Sequence, residues 1–182
     1  MRKATLFLVF VLAACSDSPG GGGTDRPDAA VASVDARTNC LVSPAYGQLG
    51  EVTATAGRNG AATTVSITLD AGPPRDTLFL RMTPGTGALS GGLVPGTYPL
   101  AGVDINYNQC GLCVNIIADI VPGQGPTKFY MATGGMVTLT SVTPPLVGSV
   151  SNLNLAEMEL SSGALIPGGC TTSIAAASFR AN

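Results

Sequence analysis

The sequence predicts an all-β domain: an antiparallel β-sandwich or barrel-like sheet, stapled by disulfides and set behind a flexible tether. Two observations predict the sheet. Short runs alternate apolar and polar residues with period two, and Gly/Pro clusters punctuate them at short intervals. A third observation, an even number of cysteines left in the domain once Cys15 is set aside, predicts the staples.

Taken in order, "TTVSITLD" places Val65, Ile67 and Leu69 on one face of a strand and Thr64, Ser66 and Thr68 on the other. In "TLFLRM", Leu78, Leu80 and Met82 oppose Thr77, Phe79 and Arg81. Residues 103–108 alternate too, with Val103, Ile105 and Tyr107 on one side. "CVNIIADIV" sets Val114, Ile116, Ala118 and Ile120 on one apolar face. "TKFYMA" pairs Phe129 with Met131 against Lys128 and Tyr130, and in "GMVTLTSV" Val137 and Leu139 oppose Thr138 and Thr140. "SNLNLAEMELSSG" is read as a strand with a short helix as the alternative. Its apolar parity passes from Leu153 and Leu155 to Met158 and Leu160, which calls for a bulge near Ala156. The runs are separated by "AGPPRD", "TPGTGALSGGLVPGT", "VPGQGPT", "TPPLVG" and "IPGGCT", all turn-forming.

The N-terminus sets the address. Arg2 and Lys3 precede an uncharged, mostly apolar run from Ala4 to Ala14 that is too short to cross a bilayer as a helix, the pattern of a secretory signal peptide. At Leu12-Ala13-Ala14-Cys15 this segment resembles the lipobox of bacterial lipoproteins. The resemblance implies cleavage after residue 14, a diacylglyceryl thioether on Cys15 and an acyl chain such as palmitate on the new amino terminus. Two or more acyl chains anchor stably where one is marginal. Ser16, rather than an aspartate, follows the cysteine, which under the sorting rule of enteric bacteria favours the outer membrane, on its periplasmic or surface face. Residues 15–37, with four consecutive glycines and two prolines, carry too little apolar surface to fold and read as a tether spanning on the order of 25 Å. Residues 38–182 form the single β domain.

Composition excludes several chemistries. The domain's seven carboxylates and five basic side chains form no basic cluster, so no nucleic-acid partner is expected. The chain has no histidine, which removes the commonest general base and most catalytic zinc sites. Glu157 and Glu159 are the one close carboxylate pair. On a strand their Cα atoms stand roughly 6.6 Å apart on one face, which reads as a solvated outer surface rather than a glycosidase pair. "DINYNQ" offers Asp104, Asn106 and Asn108 like the start of a calcium loop. Gln109 stands where that loop needs glycine and Asn115 where it needs a bidentate glutamate, so no metal site is expected there. No catalytic residue and no cofactor is expected elsewhere.

Cys40, Cys110, Cys113 and Cys170 remain, an even number in an exported chain, which favours disulfides over zinc. Four cysteines permit three pairings, and the sequence alone does not choose among them. A Cys110–Cys113 bond needs a turn, since a strand would hold the two Cα atoms about 10 Å apart. Gly111 suits a positive φ in such a turn, and a hairpin pinched there leaves Cys40–Cys170 to tie the domain's ends. "CGLC" also resembles the CGxC of thioredoxin-like enzymes over those four residues alone, and β-branched Val114, Ile116 and Ile117 follow where that family has a helix.

Residues 38–182 loosely resemble small lipid-anchored β domains of bacterial envelopes. The shared features are a Gly-Pro turn before "GTYPL", a central CxxC and a late Gly-Gly-Cys. The resemblance and the residues together point to a non-enzymatic envelope lipoprotein whose β domain serves structure or binds another envelope or surface protein. The alternatives are a lipocalin-like carrier of an apolar ligand and a thiol–disulfide oxidoreductase using Cys110 and Cys113.

Overall fold

The computed structural model describes residues 40, 42, 43, 45–70, 72 and 74–182. The signal segment, the lipidation site at Cys15 and the tether lie outside the described residues. Nine strands run through the described part: β1 (Gln48–Asn59), β2 (Ala62–Thr68), β3 (Arg75–Met82), β4 (Gly96–Pro99), β5 (Leu112–Ile120), β6 (Lys128–Ser141), β7 (Leu146–Glu159), β8 (Ala164–Leu165) and β9 (Thr171–Ala181). Seven of them close into a barrel in the order β1-β2-β3-β5-β6-β7-β9, with β9 returning to β1. The fold is all-β, and of the two expected forms it takes the barrel.

An odd number of strands cannot alternate in direction all the way round, so closure needs a parallel contact. It is made between β1 and β9, while every other pairing is antiparallel. Neither "QLGEVTATAGRN" nor "TTSIAAASFRA" is an obvious strand, because alanine and glycine blunt the alternation. Small side chains suit this seam, where Ala54, Ala177 and Ala181 face the core.

The alternating runs fill the barrel. Val65, Ile67, Leu78, Leu80, Met82, Val114, Ile116 and Ala118 have no solvent exposure. Burying a side chain of Leu or Ile size is worth about 1.5–3 kcal/mol. Tyr130, Phe179, Leu139 and Leu153 pack in the same cluster.

β6, β7 and β9 each change the parity of their buried residues midway: from 130 and 132 to 137 and 139, from 150 to 153, and from 174 to 177. β7 and β9 keep their register across the change. Asn152 in β7 (φ 51°) and Gly135 in β6 (φ 122°) mark the bend, and β1 carries a register shift between Gln48 and Glu51 at Gly50 (φ 62°). A line of irregularities thus crosses four adjacent strands and curves the sheet toward closure. The segment 151–163 is a strand up to Glu159, and no bulge is needed at Ala156. Met158 is buried on the outer face, opposite Phe129, because a second, smaller apolar cluster covers β6 and β7 there.

Residues 83–111 leave the barrel between β3 and β5 as a flap with two 3₁₀ turns (Gly87–Leu89 and Gly102–Ile105) and β4, which extends β6 where β5 stops. The alternating run at 103–108 is therefore not a strand. Leu89 and Leu100 of the flap insert into the core. Asp104, only 3% exposed, fastens the flap by accepting hydrogen bonds from the N–H groups of Ala88 (2.7 Å), Gly111 and Leu112 (2.9 Å each).

Candidate functional site

Two places gather polar or reactive side chains against the apolar frame. The first is the outer face of β3 and β5 beside the CxxC. Cys110 and Cys113 form a disulfide with Cα atoms 5.2 Å apart. It staples the last turn of the flap to the first residues of β5, not a hairpin of two strands. Gly111 does not adopt positive φ; it is required because a Cβ there would collide with the Thr86 carbonyl of the flap. Both sulfurs are shielded, since Cys113 is fully buried and Cys110 is 5% exposed. The Arg81 guanidinium, on the outward side of β3, lies over the Tyr107 ring (5.5 Å). It donates to Cys113 Sγ (3.1 Å) and to the Tyr107 carbonyl (3.4 Å).

Next to this cation a shallow groove of about 80 Å³ runs between Phe79, Ile117, Phe129, Met158 and Leu160. Asn115 lies at its floor, 5% exposed, and its Oδ1 has no hydrogen-bond partner. Leu160 is 41% exposed and extends the apolar surface toward Leu165 and Ile166.

The second place is the opposite end of the barrel, where β3 begins and β5 ends. Asp76 continues the inward alternation of β3 and is 8% exposed. Its Oδ2 accepts the Tyr46 hydroxyl at 2.6 Å and its Oδ1 accepts the Asp119 N–H at 3.0 Å. Burial, then the hydrogen bond to Asp76 and that group's charge, hold the Tyr46 phenol far above its ordinary range, so it stays a donor. Asp119, 4% exposed, accepts Thr127 Oγ1 at 3.3 Å on Oδ2, while its Oδ1 has no partner. Burial, and secondly the charge of Asp76, raise the Asp119 carboxyl above its ordinary value. Lys128 pairs with Glu157 at 2.8 Å, and Glu157 Oε2 also accepts the Cys170 N–H at 2.9 Å. Burial pushes Glu157 up, but the Lys128 hydrogen bond, the Cys170 N–H and the Lys128 charge outweigh it and hold the carboxyl below the ordinary value. The Cys40–Cys170 disulfide (Cα–Cα 5.6 Å) closes this end.

The remaining candidates divide. Glu157 and Glu159 do not form a solvated pair: Glu157 is drawn into the Lys128 ion pair, and exposed Glu159 accepts from Ser161 Oγ. Asp104, Asn106 and Asn108 do not converge on a common point. Asp104 is spent on three backbone N–H groups, Asn106 accepts the Asn108 N–H, and Asn108 donates to Ser162 O. Among the described residues no three His, Cys, Asp or Glu side chains gather as a metal cluster. Sequence reasoning missed Arg81, Asn115, Asp76 and Asp119. Parity could have found Asp76, which precedes Leu78, Leu80 and Met82 on the inward face. Nothing local marks Asp119, which comes to Asp76 from 43 residues away.

No family model matches the chain, and no curated protein or solved structure matches it either.

Proposed function

We propose that this protein is a non-enzymatic envelope lipoprotein, held to the outer membrane by lipid on Cys15, whose barrel binds another envelope or surface protein through the groove beside Cys110–Cys113. One observation carries this reading. The barrel interior is filled by Tyr130, Phe179 and aliphatic side chains, while apolar concave surface faces outward at Ile117, Phe129 and Leu160. A groove with aromatic and methionine walls, a cation at its rim and few charges at its centre has the composition of a protein-binding surface. The pairing of all four domain cysteines supports an oxidising compartment.

The alternatives draw less support. A lipocalin-like carrier uses the space inside its barrel, which here is occupied by side chains. A thiol–disulfide enzyme presents an attackable sulfur, and these sulfurs are shielded. The test is site-specific photocrosslinking in intact cells from Leu160 and from Thr55, which is exposed on β1. Adducts to a defined protein from Leu160 alone support the reading; equal adducts from both, or none from either, overturn it. Cys15→Ser should release the protein from membranes, and retention of that variant refutes the anchor.

A further inference from the structure

We propose, resting on the binding function stated above, that the groove beside Cys110–Cys113 receives an extended acidic segment of the partner protein. One apolar side chain of that segment fills the groove and a neighbouring carboxylate lies on Arg81. Arg81 is half-buried on the outward side of β3 and lines the groove. Among the described residues the one ion pair is Lys128–Glu157, so no carboxylate meets the Arg81 guanidinium. Acidic groups close in the chain to the groove walls are engaged elsewhere: Asp104 with three backbone N–H groups, Glu159 with Ser161 Oγ. The cation is also held still. It lies over the Tyr107 ring, and its Nη2 donates to Cys113 Sγ at 3.1 Å and to the Tyr107 carbonyl at 3.4 Å. These bonds all run through Nη2, which leaves the Nε and Nη1 donors for a ligand. A fixed guanidinium fork binds a carboxylate at a lower ordering cost than a freely rotating one.

Charge complementarity sets the sign of the ligand, since the groove contributes a cation and the partner must supply the anion. Shape selects a polypeptide. Ile117, Phe129, Met158 and Leu165 stand directly opposite one another on successive strands and form one outward apolar row from β5 to β8. Three strand spacings carry this row on the order of 14 Å, the reach of about four extended residues. The groove itself, about 80 Å³, holds on the order of six water-sized spheres, which is room for one side chain and not for an acyl chain. The floor agrees. Asn115, 5% exposed, carries an amide that both donates and accepts, the complement of a peptide's own C=O and N–H. A lipid carboxylate brings acceptors only.

The experiment places a photoreactive residue at position 160 of the full chain in intact cells and maps the adduct by mass spectrometry. The expected adduct joins this position to a segment of another envelope protein that carries an aspartate or glutamate beside an apolar residue. Arg81→Gln should cut the adduct yield by about tenfold, the worth of a charged hydrogen bond. Arg180→Gln, an exposed arginine on β9, should leave it unchanged. Should Arg81→Gln disturb folding, the chain with its arginine intact decides. In isolated envelopes its adduct yield should fall severalfold as salt rises from about 0.05 M to about 0.5 M, because a rim charge pair is screened. Adducts to a defined protein that persist undiminished in folded Arg81→Gln, resist salt, or map to a segment without a carboxylate overturn this inference and leave the binding function standing. No adduct, or adducts only to lipid, to residues 16–37 of this chain or to a second copy of it, overturn both.

Discussion

Replacing Asp104 by asparagine removes one oxygen's worth of acceptor and one charge from a carboxylate that fastens the flap. In the wild type, Oδ2 accepts the Ala88 N–H at 2.7 Å, and Oδ1 accepts the Gly111 and Leu112 N–H groups at 2.9 Å each. The side chain is 3% exposed, so water cannot substitute. The asparagine carbonyl can keep the pair at Oδ1 as neutral bonds, but its NH₂ then meets the Ala88 N–H, donor against donor. A bond to a charged group contributes about 1.5–3 kcal/mol, and a buried donor left unmade costs about 1–3 kcal/mol. With two further bonds weakened, the expected loss is about 3–5 kcal/mol. That is a large part of the roughly 5–15 kcal/mol a domain has. Equilibrium urea unfolding with both disulfides intact should show the midpoint falling by about 2 M, for an m value near 2 kcal/mol/M. Asn106→Ala, an exposed side chain in the same turn, should stay within about 0.5 kcal/mol of wild type. A loss in Asp104→Asn as small as that would refute the claim that this carboxylate holds the flap.

Three further outcomes are expected. The Cys40–Cys170 bond closes a separation of 130 residues and Cys110–Cys113 one of 3. By loop-closure entropy their removal as paired Cys→Ser variants should cost about 5 and about 2 kcal/mol, and a reversed order in calorimetric midpoints would count against the entropic account. Gly111→Ala should destabilise by more than about 2 kcal/mol, because its Cβ meets the Thr86 carbonyl rather than a side chain that can move, and a near-neutral value in urea unfolding would refute that contact. For pH, the folded Glu157 carboxyl lies below its unfolded value. Its stabilisation is present above the ordinary carboxylate range and is lost as pH falls through its folded value. Asp119 lies above its unfolded value and has the opposite sign. Asp119→Asn should therefore be more stable than wild type at neutral pH, with the advantage vanishing on acidification; an advantage that grows as pH falls would refute the sign.

Much of the barrel was legible because period-two alternation is a local property. Val65 and Ile67, Leu78 to Met82, Val114 to Ala118, and Val137 with Leu139 all point where the pattern places them. The pattern failed in two physically different ways. At 103–108 an alternating run is a pair of turns, because Asp104 finds three N–H donors outside any sheet ladder and the flap closes around it. At Met158 the parity argument assumed one wet face, whereas the disulfide and Tyr107 cover the outside of β6 and β7 and bury both faces. In the candidate sites, cysteine arithmetic and turn geometry favoured a Cys110–Cys113 bond with Cys40–Cys170 but left the pairing open, and the tertiary structure chose it; Arg81 looked like an ordinary outward residue of β3.

By itself the sequence determined the fold class and offered an even set of four domain cysteines, with their pairing left open among three connectivities. Each depends on residue type or short-range spacing, and so survives without knowing which strands are neighbours. Tertiary structure decided that the sheet closes, since seven strands need the parallel β1–β9 seam between segments more than a hundred residues apart. It also decided that Glu157 belongs to Lys128 and that Asp119 stands beside Asp76. Burial and charge proximity are properties of strand order around the barrel, and no local window of residues contains them.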